Sequence, residues 1–231
     1  MPNSTIFYDH TCPLCRWYTR EFVRFDLLQP NGRVRFTDLE TSDVAGRIDL
    51  ARGRHEIPLV DHATGTTHYG VDALVHLLAA RLPWLPRVVR FGPIDWFVRR
   101  LYKLVSYNRR TIAPSVGQPT AYDCTPDFNW KYRLTYVLLA AGTALWLLPA
   151  VLLLVPLLAL LGGLLVRGAE ARLEALGQVT TAALVGALLW LLLAWITPMV
   201  QIPVGIFMIG DVLRRGRIFR KNHPLRVPRS L

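Results

Sequence analysis

The sequence predicts two folds in series: an α/β domain built on a mixed sheet with flanking helices, then an all-α transmembrane helical hairpin. Three observations predict this. Residues 1–82 alternate short β-type runs with amphipathic helical runs. A hairpin signal around Ala63-Thr64-Gly65 follows a β–α–β opening, so antiparallel and parallel pairs must share one sheet. Residues 134–166 and 179–210 carry no charge, and each run exceeds the ~20 residues needed to cross a bilayer.

The elements follow in order. Residues 5–8 read as a strand. Residues 13–28 read as a helix, because Leu14, Trp17, Tyr18, Phe22, Phe25 and Leu28 recur at three- and four-residue steps while Arg16, Arg20 and Arg24 take the other face. Gln29-Pro30-Asn31-Gly32 ends it. A strand at 34–37, a short helix at 44–50, strands at 59–61 and 67–69, and a helix at 71–82 complete a βαβαββα order. After a Pro/Trp/Arg hinge at 81–87, Ile94, Phe97, Val98, Leu101, Leu104 and Val105 mark another amphipathic helix, with Arg99, Arg100 and Lys103 opposite. Its apolar face can pack on the domain, or its Trp and Arg residues can rest on an anionic membrane surface.

The chemistry concentrates at Asp9-His10-Thr11-Cys12-Pro13-Leu14-Cys15. Two cysteines stand at the mouth of the first helix, where unpaired N–H groups and the helix dipole favour a thiolate. Only the thiolate attacks a disulfide. Cys12 is therefore the candidate nucleophile, and Cys15, one turn on, the thiol that closes a disulfide and releases the partner. Asp9 can relay the proton leaving Cys15, or fix the strand-to-helix corner as a turn residue. Other uses of the pair compete: two inert buried thiols, or half of a zinc site, for which Cys124 and the scattered His55, His62, His68 and His76 offer no second knuckle. No metal or other cofactor is required.

Tyr8-Asp9-x-x-Cys12-Pro13-Leu14-Cys15-Arg16 after a short strand resembles the opening of the DCC family of thioredoxin-like thiol-disulfide oxidoreductases, named for one Asp and two Cys. Further likeness lies in residues 65–78, with Tyr69-Gly70-Val71-Asp72-Ala73-Leu74, and in Leu101-Tyr102 followed by Asn108-Arg109. The resemblance covers roughly the first 110 residues and implies a thioredoxin-like fold. Members often carry Gly and Asp where His10 and Thr11 stand. It also implies that Pro58 takes the place of the proline that precedes the strand facing the CxxC and positions substrate backbone; that proline is cis in such folds, and cis and trans are both open here.

The domains expected are a thioredoxin-like domain with helical extension at 1–110, a linker at 111–133, two membrane helices within 134–213 and a basic tail at 214–231. Pro149 and Pro156 interrupt the first apolar run, Pro198 and Pro203 the second; each run is expected to stay one kinked helix, since a split leaves short pieces with no polar turn. The connector at 167–174 balances two Arg with two Glu, whereas the tail carries only basic residues. The positive-inside rule then places both termini in the cytoplasm and the connector outside. Residues 1–9 are polar and predict no cleaved leader.

A formal net charge of +11 points to acidic lipid, with no nucleic-acid motif beside it. The expectation is a membrane-anchored oxidoreductase exchanging disulfides with a protein or small thiol, possessing integral contact with lipid and room for a membrane-protein partner. The competing reading is a non-enzymatic accessory subunit with an incidental or metal-holding CxxC. Cys124, just before the membrane, is a third redox thiol, a lipid attachment site or a bystander.

Overall fold

The computed structural model describes residues 3–42, 44–116, 126–194 and 200–223. Cys124 and Pro198, named above, and the basic tail from residue 224 on lie outside these residues. The chain divides into two compact units, 1–127 and 128–231.

The first unit holds a four-stranded mixed sheet in the order β2-β1-β3-β4, with β1 Ser4–Tyr8, β2 Arg33–Arg35, β3 Pro58–Asp61 and β4 Thr67–Tyr69. β1 runs parallel to β2, with Ile6 opposite Arg33, and antiparallel to β3, with Ile6 opposite Leu59. β3 and β4 form the expected hairpin. Alternation along the strands buries both faces. Ile6, Tyr8 and Leu59 join Leu28, Ala73 and Leu77 on one side, while Phe7 and Val60 join Phe36, Leu39, Val44 and Ile48 on the other. Each fully buried Leu, such as Leu28 or Leu77, contributes about 1.5–3 kcal/mol relative to exposure.

Helix α1 spans Pro13–Arg24, ending short of the expected residue 28. Asp26 takes a left-handed φ of 56°, and Leu27 and Leu28 donate their N–H groups to the Phe22 carbonyl. That reversal drops both leucines into the core, which outweighs another helical turn. The inward face also differs from the expected stripe: Cys15 and Thr19 are buried with Leu14, Tyr18, Phe22 and Val23 against them, whereas Trp17 and Phe25 are each 61% exposed. Residues 45–47 form a 3-10 turn, and the short helix α2 follows at Leu50–Gly53, later than expected.

Helix α3 spans Val71–Ala79 and begins at Gly70, whose φ of 57° and whose ideal Cβ position 3.1 Å from the Tyr102 ring suit only glycine. Helix α4 spans Leu85–Val89 and α5 spans Gly92–Ile112. α5 packs on the domain through only part of its length. Its C-terminal half buries Ser106, Asn108, Arg109 and Thr111, while Trp96, Phe97 and Leu101 remain exposed. Arg99 is held by Asp72 and Asp95, at 2.8 Å each, so it is not a free surface cation.

In the second unit the described residues form four helices where two continuous ones were expected: α6 Trp130–Leu147, α7 Ala150–Leu164, α8 Ala169–Leu193 and α9 Gln201–Asn222. The first apolar run breaks at Leu148, whose ψ of 135° is extended, because Pro149 disfavours the α conformation in the residue before it. Pro156 stays inside α7. The break survives without a polar turn because Leu148 is itself buried, clustered with Ala144, Leu152, Ala187 and Val200. α8 is central and packs against α6, α7 and α9. It alone among the described helices is long and apolar enough to cross a membrane.

The two-span arrangement with an outside connector is not supported. Arg133, at the start of the first apolar run, pairs with Glu174 of the connector at 2.8 Å, and a Gln178–Arg215 hydrogen bond of 3.1 Å adds the second half of α9 to the same end. Charged groups that close cannot lie on opposite sides of a bilayer. The proline break, not legible as a reversal in the sequence, produces this.

Candidate functional site

β1 delivers the chain to a tight corner before α1. Asp9 Oδ1 accepts hydrogen bonds from the Thr11 N–H at 2.9 Å, the Thr11 hydroxyl at 2.7 Å and the Cys12 N–H at 3.2 Å. Its Oδ2 receives Arg110 Nη2 at 3.0 Å, and the same nitrogen donates to Thr11 Oγ1 at 2.9 Å. Burial opposes ionisation of Asp9, but Arg110, the Thr11 hydroxyl and Arg109 outweigh it and hold the carboxyl below its ordinary value. Both oxygens are thus engaged in fixing the corner, the structural alternative read for this residue.

Cys12 caps α1 in an extended conformation and Pro13 takes the first helical position. The two thiols are free and buried, with Cys12 0% and Cys15 3% exposed. A hydrogen bond from the Cys15 thiol, against the cost of burial and with help from the Arg109 charge, lowers Cys12 to about 6. Cys15 moves the other way, well above its ordinary value, as the donor of that bond and through burial. The first proton therefore leaves Cys12 and the second stays on Cys15. This asymmetry is what a nucleophile and a resolving thiol require.

Arg109 of α5 is buried beneath the pair. Despite burial it is held protonated by the cysteines and Asp9. Its Nη2 donates to the Arg54 carbonyl at 3.3 Å, and its Nε has no hydrogen-bond partner among the described residues. Arg109 and Cys15 line a cavity of about 340 Å³ whose other walls are apolar and aromatic, from Leu14, Tyr18, Phe22 and Tyr102. Burial, first, pushes the Tyr102 hydroxyl up to about 12, so it stays protonated. It accepts the Ile57 N–H at 3.0 Å.

Pro58 opens β3, paired with Tyr69, and is fully buried. The described residues contain no cis peptide bond, so Ile57–Pro58 is trans, the second of the two forms left open. The trans form leaves the Ile57 carbonyl accepting the Gly70 N–H at 3.0 Å. The cavity wall next to Cys15 is formed by Ile57, not by Pro58.

Of the residues singled out in the sequence, the structure brings Asp9, Cys12 and Cys15 together. Arg110 and Thr11 carry no motif signal of their own, and Arg109 enters the sequence only within the Asn108-Arg109 likeness. The available hint is Asn108 and Arg109, polar residues that fall at the next three- and four-residue steps after Leu101, Leu104 and Val105. The histidines dismissed as scattered also meet in part: ligand atoms of His68, His76 and Asp61 lie within 4.8 Å of one another. Asp61 there accepts from the Ala63 N–H and the Thr64 hydroxyl, fixing the hairpin turn.

Sheet order, helix placement and a dithiol at the first helix N-terminus together fit a thioredoxin-like domain. Residues 6–114 match the family model described as DCC1-like thiol-disulfide oxidoreductase, which supports the DCC family and a redox role for this domain. Comparison with curated proteins and with solved structures found no match.

Proposed function

We propose that the protein is a membrane-embedded thiol-disulfide oxidoreductase that uses Cys12 and Cys15 as its exchanging pair. One observation carries the redox half: the two thiols stand over buried Arg109 at the mouth of α1, with Cys15 donating to Cys12. The Cys12 thiolate attacks one sulfur of a substrate disulfide, forms a mixed disulfide and expels the other half as a thiolate. Cys15 then gives up its proton to the expelled thiolate or to water and attacks Cys12 sulfur. The Cys12–Cys15 disulfide closes, the second half leaves as a thiolate, and two electrons have passed to the substrate. The reverse sequence oxidises a dithiol.

Because Cys12 has no exposed surface, attack requires local opening around it. Closed, the site shields the thiolate from adventitious oxidation. Substrates are protein or small-molecule thiols and disulfides. The cleft on the outer side of α1, lined by His10, Arg16, Arg20, Arg33 and Arg35, favours acidic ones.

The membrane half rests on an inverted surface. In the second unit small or polar residues such as Ala140, Ala187 and Thr181 are buried, while Leu138, Leu158, Leu192 and Ile206 face outward. Soluble proteins do not expose an apolar patch of that extent, and helix contacts made through small residues are the membrane pattern. In the first unit, exposed Trp96 and Phe97 beside Arg100 suit the headgroup layer.

The test is a trapping experiment on the full chain. Cys15→Ser is expected to accumulate mixed disulfides through Cys12, and Cys12→Ser to form none. No mixed disulfide in either variant, with no Cys12–Cys15 disulfide at any potential, would favour the accessory-subunit reading.

A further inference from the structure

Resting on the membrane reading above, we infer that the second unit enters the bilayer from one face only. The start of α6, the α7–α8 connector and the end of α9 share that face, and the opposite, uncharged end stays in hydrocarbon. Contacts within the unit carry the inference. The Arg133–Glu174 pair ties the start of α6 to the start of α8. Gln178 bridges them to α9, donating to Glu174 at 2.9 Å and accepting from Arg215, which in turn holds Asp211 at 2.7 Å. One rim therefore gathers charges from three helices into a paired, buried network, as ionisable groups near lipid require.

The other end has none. The sequence carries no charge in 134–166 or 175–210, and Ala144, Leu148, Ala187 and Val200 come together there in one apolar cluster. Up-and-down packing makes the limbs of α6 and α7 lead away from the charged rim and back to it. Length decides how far they go. The limb from residue 134 to 147 and the 15-residue α7 measure about 21–23 Å at 1.5 Å per residue, against roughly 30 Å of hydrocarbon. These two limbs reach past the midplane but do not emerge, and the uncharged part of α8, from residue 175 to 193, measures about 28 Å, which still ends within that thickness. The non-helical turn at depth is tolerated because Leu148 is buried in protein. Pro149 brings no N–H that would need a partner. The basic residues at the rim, with Arg217, Arg220 and Lys221 ending α9, then meet anionic headgroups of a single leaflet.

The experiment uses the full chain with Cys12→Ser, Cys15→Ser and Cys124→Ser, carrying one new cysteine at a time, in sealed membrane vesicles of one orientation and in phosphatidylcholine/phosphatidylglycerol liposomes. Glu170→Cys and Lys221→Cys are expected to react with a membrane-impermeant maleimide from the same side. Trp146→Cys, at a side chain 84% exposed near the tip, and Leu192→Cys are expected to lose labelling from both sides until detergent is added. Glu170→Cys and Lys221→Cys labelling from opposite sides, or a tip cysteine labelling from the far side, overturns one-faced insertion while leaving the membrane reading intact. Release of the chain by alkaline carbonate, with Trp146→Cys reactive throughout, defeats the membrane reading itself. A tip protected in native vesicles but reactive in liposomes means that another protein covers this surface, and the inference falls.

Discussion

Replacing Cys15 by alanine removes the strongest influence on Cys12. The Cys15 thiol hydrogen bond is the largest cause of the drop in Cys12 from 9.0 to about 6. Alanine cannot donate, so the titration midpoint should move up toward 9. At about 1.4 kcal/mol per pH unit, full reversal removes about 4 kcal/mol of preference for the thiolate and cuts its population at neutral pH by roughly a hundredfold. Arg109→Met should act in the same direction but less, because its charge ranks behind the hydrogen bond. The assay is ultraviolet thiolate absorbance against pH on reduced full-length protein with Cys12→Ser as the blank, which needs no reagent to reach a buried sulfur. An unchanged midpoint in Cys15→Ala, or a larger shift in Arg109→Met than in Cys15→Ala, would refute the account of how the pair is polarised.

Other outcomes follow from the same contacts. Asp9→Asn keeps the turn acceptor but removes the carboxylate charge that Arg110 and Arg109 face; losing one side of a buried pair costs up to about 3–5 kcal/mol, to be read as a lowered midpoint in detergent-solubilised thermal unfolding. A lowered Cys12 contributes stability present above its unfolded value of 9.0 and lost as pH falls through about 6, so reduced wild type should gain on Cys12→Ser as pH rises between those limits. The lowered Asp9 likewise contributes stability that disappears only in acid, as pH falls below the ordinary carboxylate range, and Asp9→Asn should lack that acid limb. Gly186→Leu should separate α8 from α9, since a Cβ there already meets Met208, and limited proteolysis near the α9 end should accelerate.

The N-terminal order of strands and helices, the mixed sheet and the Asp9, Cys12, Cys15 constellation were legible in the sequence because they depend on short-range rules: alternation, helical period, turn residues and position at a helix mouth. Tertiary structure decided what those residues experience. Arg110 reaches Asp9 across 101 residues, and Arg109 arrives under the thiols from the same distant helix; no spacing encodes that meeting. Folding also made Trp17 an outward residue and Cys15 an inward one, because the core selects one stripe of an amphipathic helix and not another.

In the second half, uncharged runs pointed to an apolar solvent, since transfer free energy adds up along the chain regardless of its path. The path itself was not readable. Whether Pro149 kinks a helix or reverses it depends on what waits to bury Leu148, and here Ala187 and Val200 do. Once the chain reverses, Arg133 and Glu174 share one rim. The number of passes through an apolar layer is set by packing at its turns, and so only the folded chain determines it.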